Sequence, residues 1–368
     1  MKKLLAFFLV SLRLWAQSES PTEILIPGGS FDMGDFLDGS ADARPVPSVR
    51  VASFWMERDP VTHELWRTVH AWAVAKGYSF SNAGKGKAPK HPVHSVSWHD
   101  AVRWCNARSE REGRTPVYYV DAALGQVFRS GEPEVFANWA ANGYRLPSEA
   151  EWEKAARGNQ TRKRFPRGNT LGILDANFYA GATGTNVPAY MGGLTGYNPV
   201  YALDGMPYTS PVDAFPPNDL GLRDMSGNVF QWCWDWYDSA YRSADNPRGA
   251  KSGNLKVIRG GSWYGQSYYC RVGYRNSMNP RFALNTCGFR CATSAAAPKP
   301  PSIAIAVSQD QIAVSFDAVI GTQYSIQQAT NPDGPWTEAA TLAGQNGPLV
   351  WKDLIRAQAI RFLRVVAQ

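Results

Sequence analysis

A chain of 368 residues and 40.6 kDa is long for one average domain, and at roughly 100 to 200 residues per domain it predicts a large domain with a small module. With 44% hydrophobic and 19% charged residues it can bury a core, which excludes a wholly disordered chain, while 33 Gly, 25 Pro and 14 Trp exclude a helical bundle or coiled coil. The formal charge of +7 falls to +4 once residues 1 to 16 are set aside, and the remaining basic residues are scattered, which excludes nucleic acid as a partner.

In chain order, Lys2 and Lys3 precede an apolar run, Leu4 to Leu12, and the polar Gln17-Ser18-Glu19-Ser20 follows Ala16. This is the pattern of a secretory signal peptide over residues 1–16, so the expected location is exported, periplasmic or extracellular. Arg13 interrupts the run, and a span needs about 20 apolar residues, so no stable membrane span is expected.

Ser97-Trp98-His99-Asp100 reads as a helix start, with Ser97 as cap and Asp100 at the third helical position. Ser148-Glu149-Ala150-Glu151 repeats it, and Gly158 is placed to end that helix. All five histidines fall between His63 and His99. The spacing of His91, His94 and His99 matches no helix face, since steps of three and five residues diverge by roughly 160°, so these residues read as surface or capping groups. Residues 295–301, rich in Ala and Pro, read as a linker. Beyond it, β-branched segments (303–307, 311–316, 323–328, 337–342, 349–352 and 360–366) are separated by turn signals such as Asn331-Pro332-Asp333-Gly334. Residues 302–368 therefore predict a small all-β sandwich, which resembles fibronectin-III-like modules.

Export permits disulfides, and the cysteines are Cys105, Cys233, Cys270, Cys287 and Cys291. An odd count leaves at least one thiol unpaired. No C-x-x-C pair exists, which argues against a structural zinc.

Several segments occur together and in order: Ile26-Pro27-Gly28-Gly29-Ser30-Phe31-Asp32-Met33-Gly34, Val96-Ser97-Trp98, Arg145-Leu146-Pro147-Ser148-Glu149-Ala150-Glu151-Trp152-Glu153, Met225-Ser226-Gly227-Asn228-Val229, Arg259-Gly260-Gly261-Ser262-Trp263 and Gly288-Phe289-Arg290-Cys291. Through them residues 22–294 resemble the sulfatase-modifying-factor family, whose founding members are formylglycine-generating enzymes. The resemblance implies an α+β fold, poor in regular structure and distantly like a C-type lectin. It also implies oxidation of a cysteine in a sulfatase C-x-P-x-R segment with dioxygen and copper(I). Copper(I) is soft and favours thiolates, so the chemistry needs two cysteines close in space. The family places them at the third and eighth positions after the Gly-Gly-Ser serine, here Gly265 and Cys270. One thiolate is missing, so copper is not expected. Cys270 reads equally as a catalytic remnant, a buried thiol or a disulfide partner of Cys287. Ser262 and Tyr269 match polar residues of the family's cleft.

By the same resemblance, Cys105 and Cys291 form a structural disulfide. Calcium is the expected cofactor. A first site would draw on Asn177, Phe178, Asp204 and Met206, and a second on carbonyls of Asp224, Gly227 and Val229, with Gln231 where the family has a carboxylate. Oxygen ligands suit this hard cation, and a neutral amide binds it less well than a carboxylate. The expected function is that of a non-oxidase family member binding a protein or glycan ligand, a sulfatase among the possible partners. The alternative is a formylglycine-generating oxidase.

Overall fold

Each of the two serine caps organises a buried charge network. In the computed structural model, which describes residues 22–181, 195–240, 245–295 and, beyond these, the strands between 303 and 367, Ser97 Oγ accepts the Asp100 N–H at 3.1 Å and Asp100 Oδ2 accepts the Ser97 N–H at 3.1 Å. Ser148 and Glu151 repeat the reciprocal pair, at 3.2 and 2.8 Å. Residues 1–21, residues 296–301 of the linker and the 331–335 turn lie outside the described residues, and with them the proposed signal peptide. Among the described residues no helix is long and apolar enough to cross a membrane.

Strands β1 (Glu23–Ile26), β2 (Gly29–Met33), β3 (Val46–Val51) and β4 (Phe54–Glu57) lead into helix α1 (His63–Ala75). The Ser97 cap then opens helix α2 (Trp98–Arg111), followed by short strands β5 (Tyr118–Tyr119), β6 (Phe136–Ala137) and β7 (Tyr144–Arg145). The Ser148 cap opens helix α3 (Glu149–Arg157), which Gly158 ends at a φ of 60°. Later come β8 (Phe230–Trp236), β9 (Lys256–Arg259), a 3-10 turn (Ser267–Cys270), β10 (Asn276–Met278), β11 (Cys287–Gly288) and β12 (Ala292–Ser294). One sheet runs β1-β4-β12-β7 and another β10-β9-β8-β11. Few helices and many short strands give the α+β class the sequence implies.

Tryptophans fill the main core. Trp66 and Trp104 stack at 5.8 Å with planes 4° apart, and Phe289 packs edge-on to both. Buried indole N–H groups need acceptors. They have them: Trp66 donates to the Ala83 carbonyl, Trp98 to Cys233, Trp104 to Trp66 and Trp232 to Val96. Around α3, Arg145 grips Glu151 with two bonds of 2.6 and 2.9 Å, Arg275 grips Glu149 at 2.7 and 2.8 Å, and Arg157 and Arg259 share Glu153. The acidic motif after Leu146-Pro147 is thus spent inside the fold and is unavailable as an acid or base.

Beyond residue 302, six strands occupy the six β-branched segments: β13 (Ile303–Val307), β14 (Gln311–Ala318), β15 (Gln323–Ala329), β16 (Thr337–Ala343), β17 (Gly347–Leu354) and β18 (Phe362–Ala367). They form two antiparallel sheets, β13-β14-β17 and β16-β15-β18.

Candidate functional site

Beyond β9 the chain enters Gly260-Gly261-Ser262, where both glycines adopt positive φ of 98° and 76°. Glycine is required at 261 for space as well: a Cβ there would lie 2.6 Å from Cys270 Sγ. The 3-10 turn brings Cys270 back beneath this loop, into an apolar cluster with Phe165, Leu171, Ala176, Phe178 and Ala180. The neighbouring backbone of Gly227 and Ser262 favours the thiolate, yet burial outweighs it and pushes the thiol up to about 12. At neutral pH Cys270 is therefore a protonated, enclosed thiol. Its carbonyl is tied down as well, accepting from Ser226 Oγ at 2.7 Å.

The pairing of Cys270 with Cys287 fails, because the two fall in different cores, Cys287 lying with Trp66 and Phe289. Cys105 and Cys291 instead abut, with Sγ atoms 3.8 Å apart.

Ser262 is buried, whereas Tyr269 is 36% exposed and packs edge-on to Tyr268 and Tyr274. Gly265 sits against Tyr269, whose ring carbon Cδ2 is 3.1 Å from where a Cβ would be. Next to the loop is an aromatic group that the sequence reading missed. Tyr197 lies 4.8 Å from Tyr179, 4.7 Å from Tyr208, 5.8 Å from Trp263 and 6.3 Å from Tyr264, ring centre to ring centre. Tyr264, at 59% exposure, presents this group to solvent. The tyrosines come from segments far apart in sequence, and only the doublet Trp263-Tyr264 hinted at them.

The histidines depart from expectation. His91, His94 and His99 are buried rather than superficial, and burial pushes His94 and His99 down to about 4. His91 Nδ1 lies 2.9 Å from Thr209 Oγ1. Among the described residues no group of three or more His, Cys, Asp or Glu side chains is arranged to hold a metal ion.

The sulfatase-modifying factor enzyme 1-like domain model matches residues 13–295, most of the chain. This chain belongs to that family. It is 30% identical over 336 aligned residues to the formylglycine-generating enzyme of Thermomonospora curvata, covering 74% of this chain and 95% of that one. It is equally 30% identical to the serine/threonine-protein kinase Pkn1 of Chlamydia trachomatis, where 73% of this chain spans only 38% of the relative. Among solved structures, Treponema denticola variable protein 1 is similar with a TM-score of 0.57 and 27% identity, over 74% of this chain and 95% of that one. Relatives so differently named share one scaffold, so the reading of this sulfatase-modifying-factor member has to come from its own side chains.

At the two positions where the resemblance puts copper thiolates stand Gly265, which offers no ligand, and Cys270, a protonated sulfur inside an apolar cluster, a pair that does not suit copper(I).

The first calcium set is split between separate partners. Asn177 is buried, with Nδ2 donating to the Tyr208 carbonyl at 2.7 Å and its carbonyl accepting the Asn228 N–H at 2.7 Å. Phe178 lines the Cys270 cluster, and Met206 is exposed. Asp204, the only carboxylate of the set, pairs with Lys87, whose hydrogen bond holds it below the usual carboxylate range.

In the second set, Gln231 Nε2 donates to the Asp224 carbonyl at 2.7 Å. Burial pushes the Asp224 carboxyl up to about 7; its Oδ2 accepts from Asn228 at 2.8 Å and its Oδ1 has no hydrogen-bond partner.

Proposed function

We propose that this chain is an exported, non-oxidising member of the sulfatase-modifying-factor family that binds a protein or glycan ligand. The observation that carries this reading is the state of the thiol positions: glycine at 265, and at 270 a sulfur enclosed by apolar side chains and held protonated. A copper(I) oxidase of this family needs two accessible thiolates close in space to hold the soft metal. The aromatic group centred on Tyr197, with Tyr264 and Tyr269 at the surface, supplies a contact face instead. Rings of this kind offer large, rigid contact area to a peptide or a sugar. The alternative reading, a formylglycine-generating oxidase, draws on the 30% identity to such an enzyme and on Ser262 and Tyr269 standing at matching positions.

The two C-terminal sheets are read as a fibronectin-III-like sandwich that spaces or anchors the large domain. Support comes from Val314 and Trp351 of one sheet packing in one cluster with Tyr324 and Ile326 of the other.

Copper(I) competition against a chromogenic chelator tests the assignment. The native protein should leave the chelator complex intact. Withdrawal of one equivalent of copper by wild type, but not by Cys270→Ser, would restore the oxidase reading.

A further inference from the structure

We infer that this chain has replaced both family calcium ions with groups of its own, the ammonium of Lys87 and the amide of Gln231, and that its fold is independent of calcium. The inference rests on the family assignment and not on the binding reading, so either can fail without the other.

Gln231 makes the stronger case because its orientation is fixed by chemistry. Its side chain is fully buried, and Oε1 lies 2.8 Å from Trp152 Nε1 and 2.7 Å from Arg290 Nε. An indole N–H and a guanidinium N–H can only donate, so the amide oxygen must face them. The amide N–H₂ must then face the Asp224 carbonyl, where it donates at 2.7 Å. A carboxylate at this position would still accept from Trp152 and Arg290, but its other oxygen would confront that carbonyl, and relief of the repulsion needs a cation between them or a proton on the carboxyl. With glutamine the donor is covalently supplied.

At the first set the substitute is a full charge. Lys87 Nζ pairs with the Asp204 carboxylate and donates to the carbonyls of Tyr201 at 3.3 Å and Gly205 at 3.2 Å. It also lies 5.7 Å from the centre of the Tyr208 ring, and its side chain is only 16% exposed. Three oxygens from the Asp204 loop thus converge on one ammonium, Asp204 being the member of the first set that Lys87 engages. Calcium could recruit Asp204 only by displacing Lys87, and the ammonium left beside it would repel the ion.

The test is the thermal midpoint of the full chain in excess chelator and in millimolar calcium, for wild type, Lys87→Met and Gln231→Glu. Wild type should melt at the same temperature in both. Each variant should melt lower in chelator and regain about 5–10 °C in saturating calcium, the shift expected when ligand reaches about 100 times its Kd in a domain of this size. A variant that folds only in calcium and unfolds on chelation counts as the same result. A calcium-dependent rise in wild type would overturn the inference, and its loss in Asp224→Asn would place the ion at the unpartnered Asp224 oxygen. Variants that are destabilised yet indifferent to calcium would overturn it as well, by showing that neither residue stands where an ion would bind.

Discussion

Asp235 lies inside the β8 end of the core, where Oδ2 accepts the Glu149 N–H at 2.8 Å. Burial, reinforced by the Glu149 charge, pushes its carboxyl up to about 7, against the pull of that N–H, Arg248 and Lys256. Because the folded state holds this proton more tightly than the unfolded chain, the carboxyl favours the fold below its ordinary range near pH 4. That contribution is lost as pH rises to about 7. Asp235→Asn keeps an acceptor for Glu149 and removes the titration. Urea unfolding should give similar stabilities for the two proteins at pH 4, with the variant ahead by as much as about 4 kcal/mol at pH 8. Parallel curves across that range would show that Asp235 is ionised throughout. Cys270 obeys the same physics in the opposite service: a surface thiol at 270 would be a reagent, whereas one packed under Gly261 is a core side chain.

Among the elements, α2 and the segment between β11 and β12 are joined by the contact of Cys105 with Cys291. In an oxidising compartment these adjoining thiols should form the family's disulfide, and closing so long a loop is worth at most about 5 kcal/mol in the chain-entropy model. Non-reducing peptide mapping should recover the two linked; recovery of both as alkylated thiols without prior reduction would contradict the pairing. The helix starts at Ser97 and Ser148 were legible because a capping box is complete within four residues. Local patterning also marked the segments that became β13 to β18. The α1 start at Thr62, which accepts the Leu65 N–H, is less legible because leucine stands at the third helical position and completes no box. What local pattern does not carry is long-range burial. The enclosure of Cys270 depends on Phe165 to Ala180, the capture of Asp204 depends on Lys87, and the orientation of Gln231 depends on Trp152 and Arg290. The histidines were misjudged for the same reason, since their separation in phase said nothing about the packing that buries them.

For the whole molecule, the family scaffold is retained, and the proposed non-oxidising reading turns on two positions within it. On the proposed reading Gly265 stands where the family has one thiol, and Cys270, at the other position, is enclosed by apolar side chains and held protonated. The large domain combines capped helices and buried ion pairs with an aromatic group that Tyr264 exposes, which is the face the proposed binding role would use. The most direct measurement is mass spectrometry of a C-x-P-x-R peptide after incubation with the copper-treated protein, a thiol reductant and dioxygen. The peptide cysteine should be recovered at unchanged mass apart from ordinary thiol oxidation. Appearance of the aldehyde product, dependent on Cys270, would contradict the account.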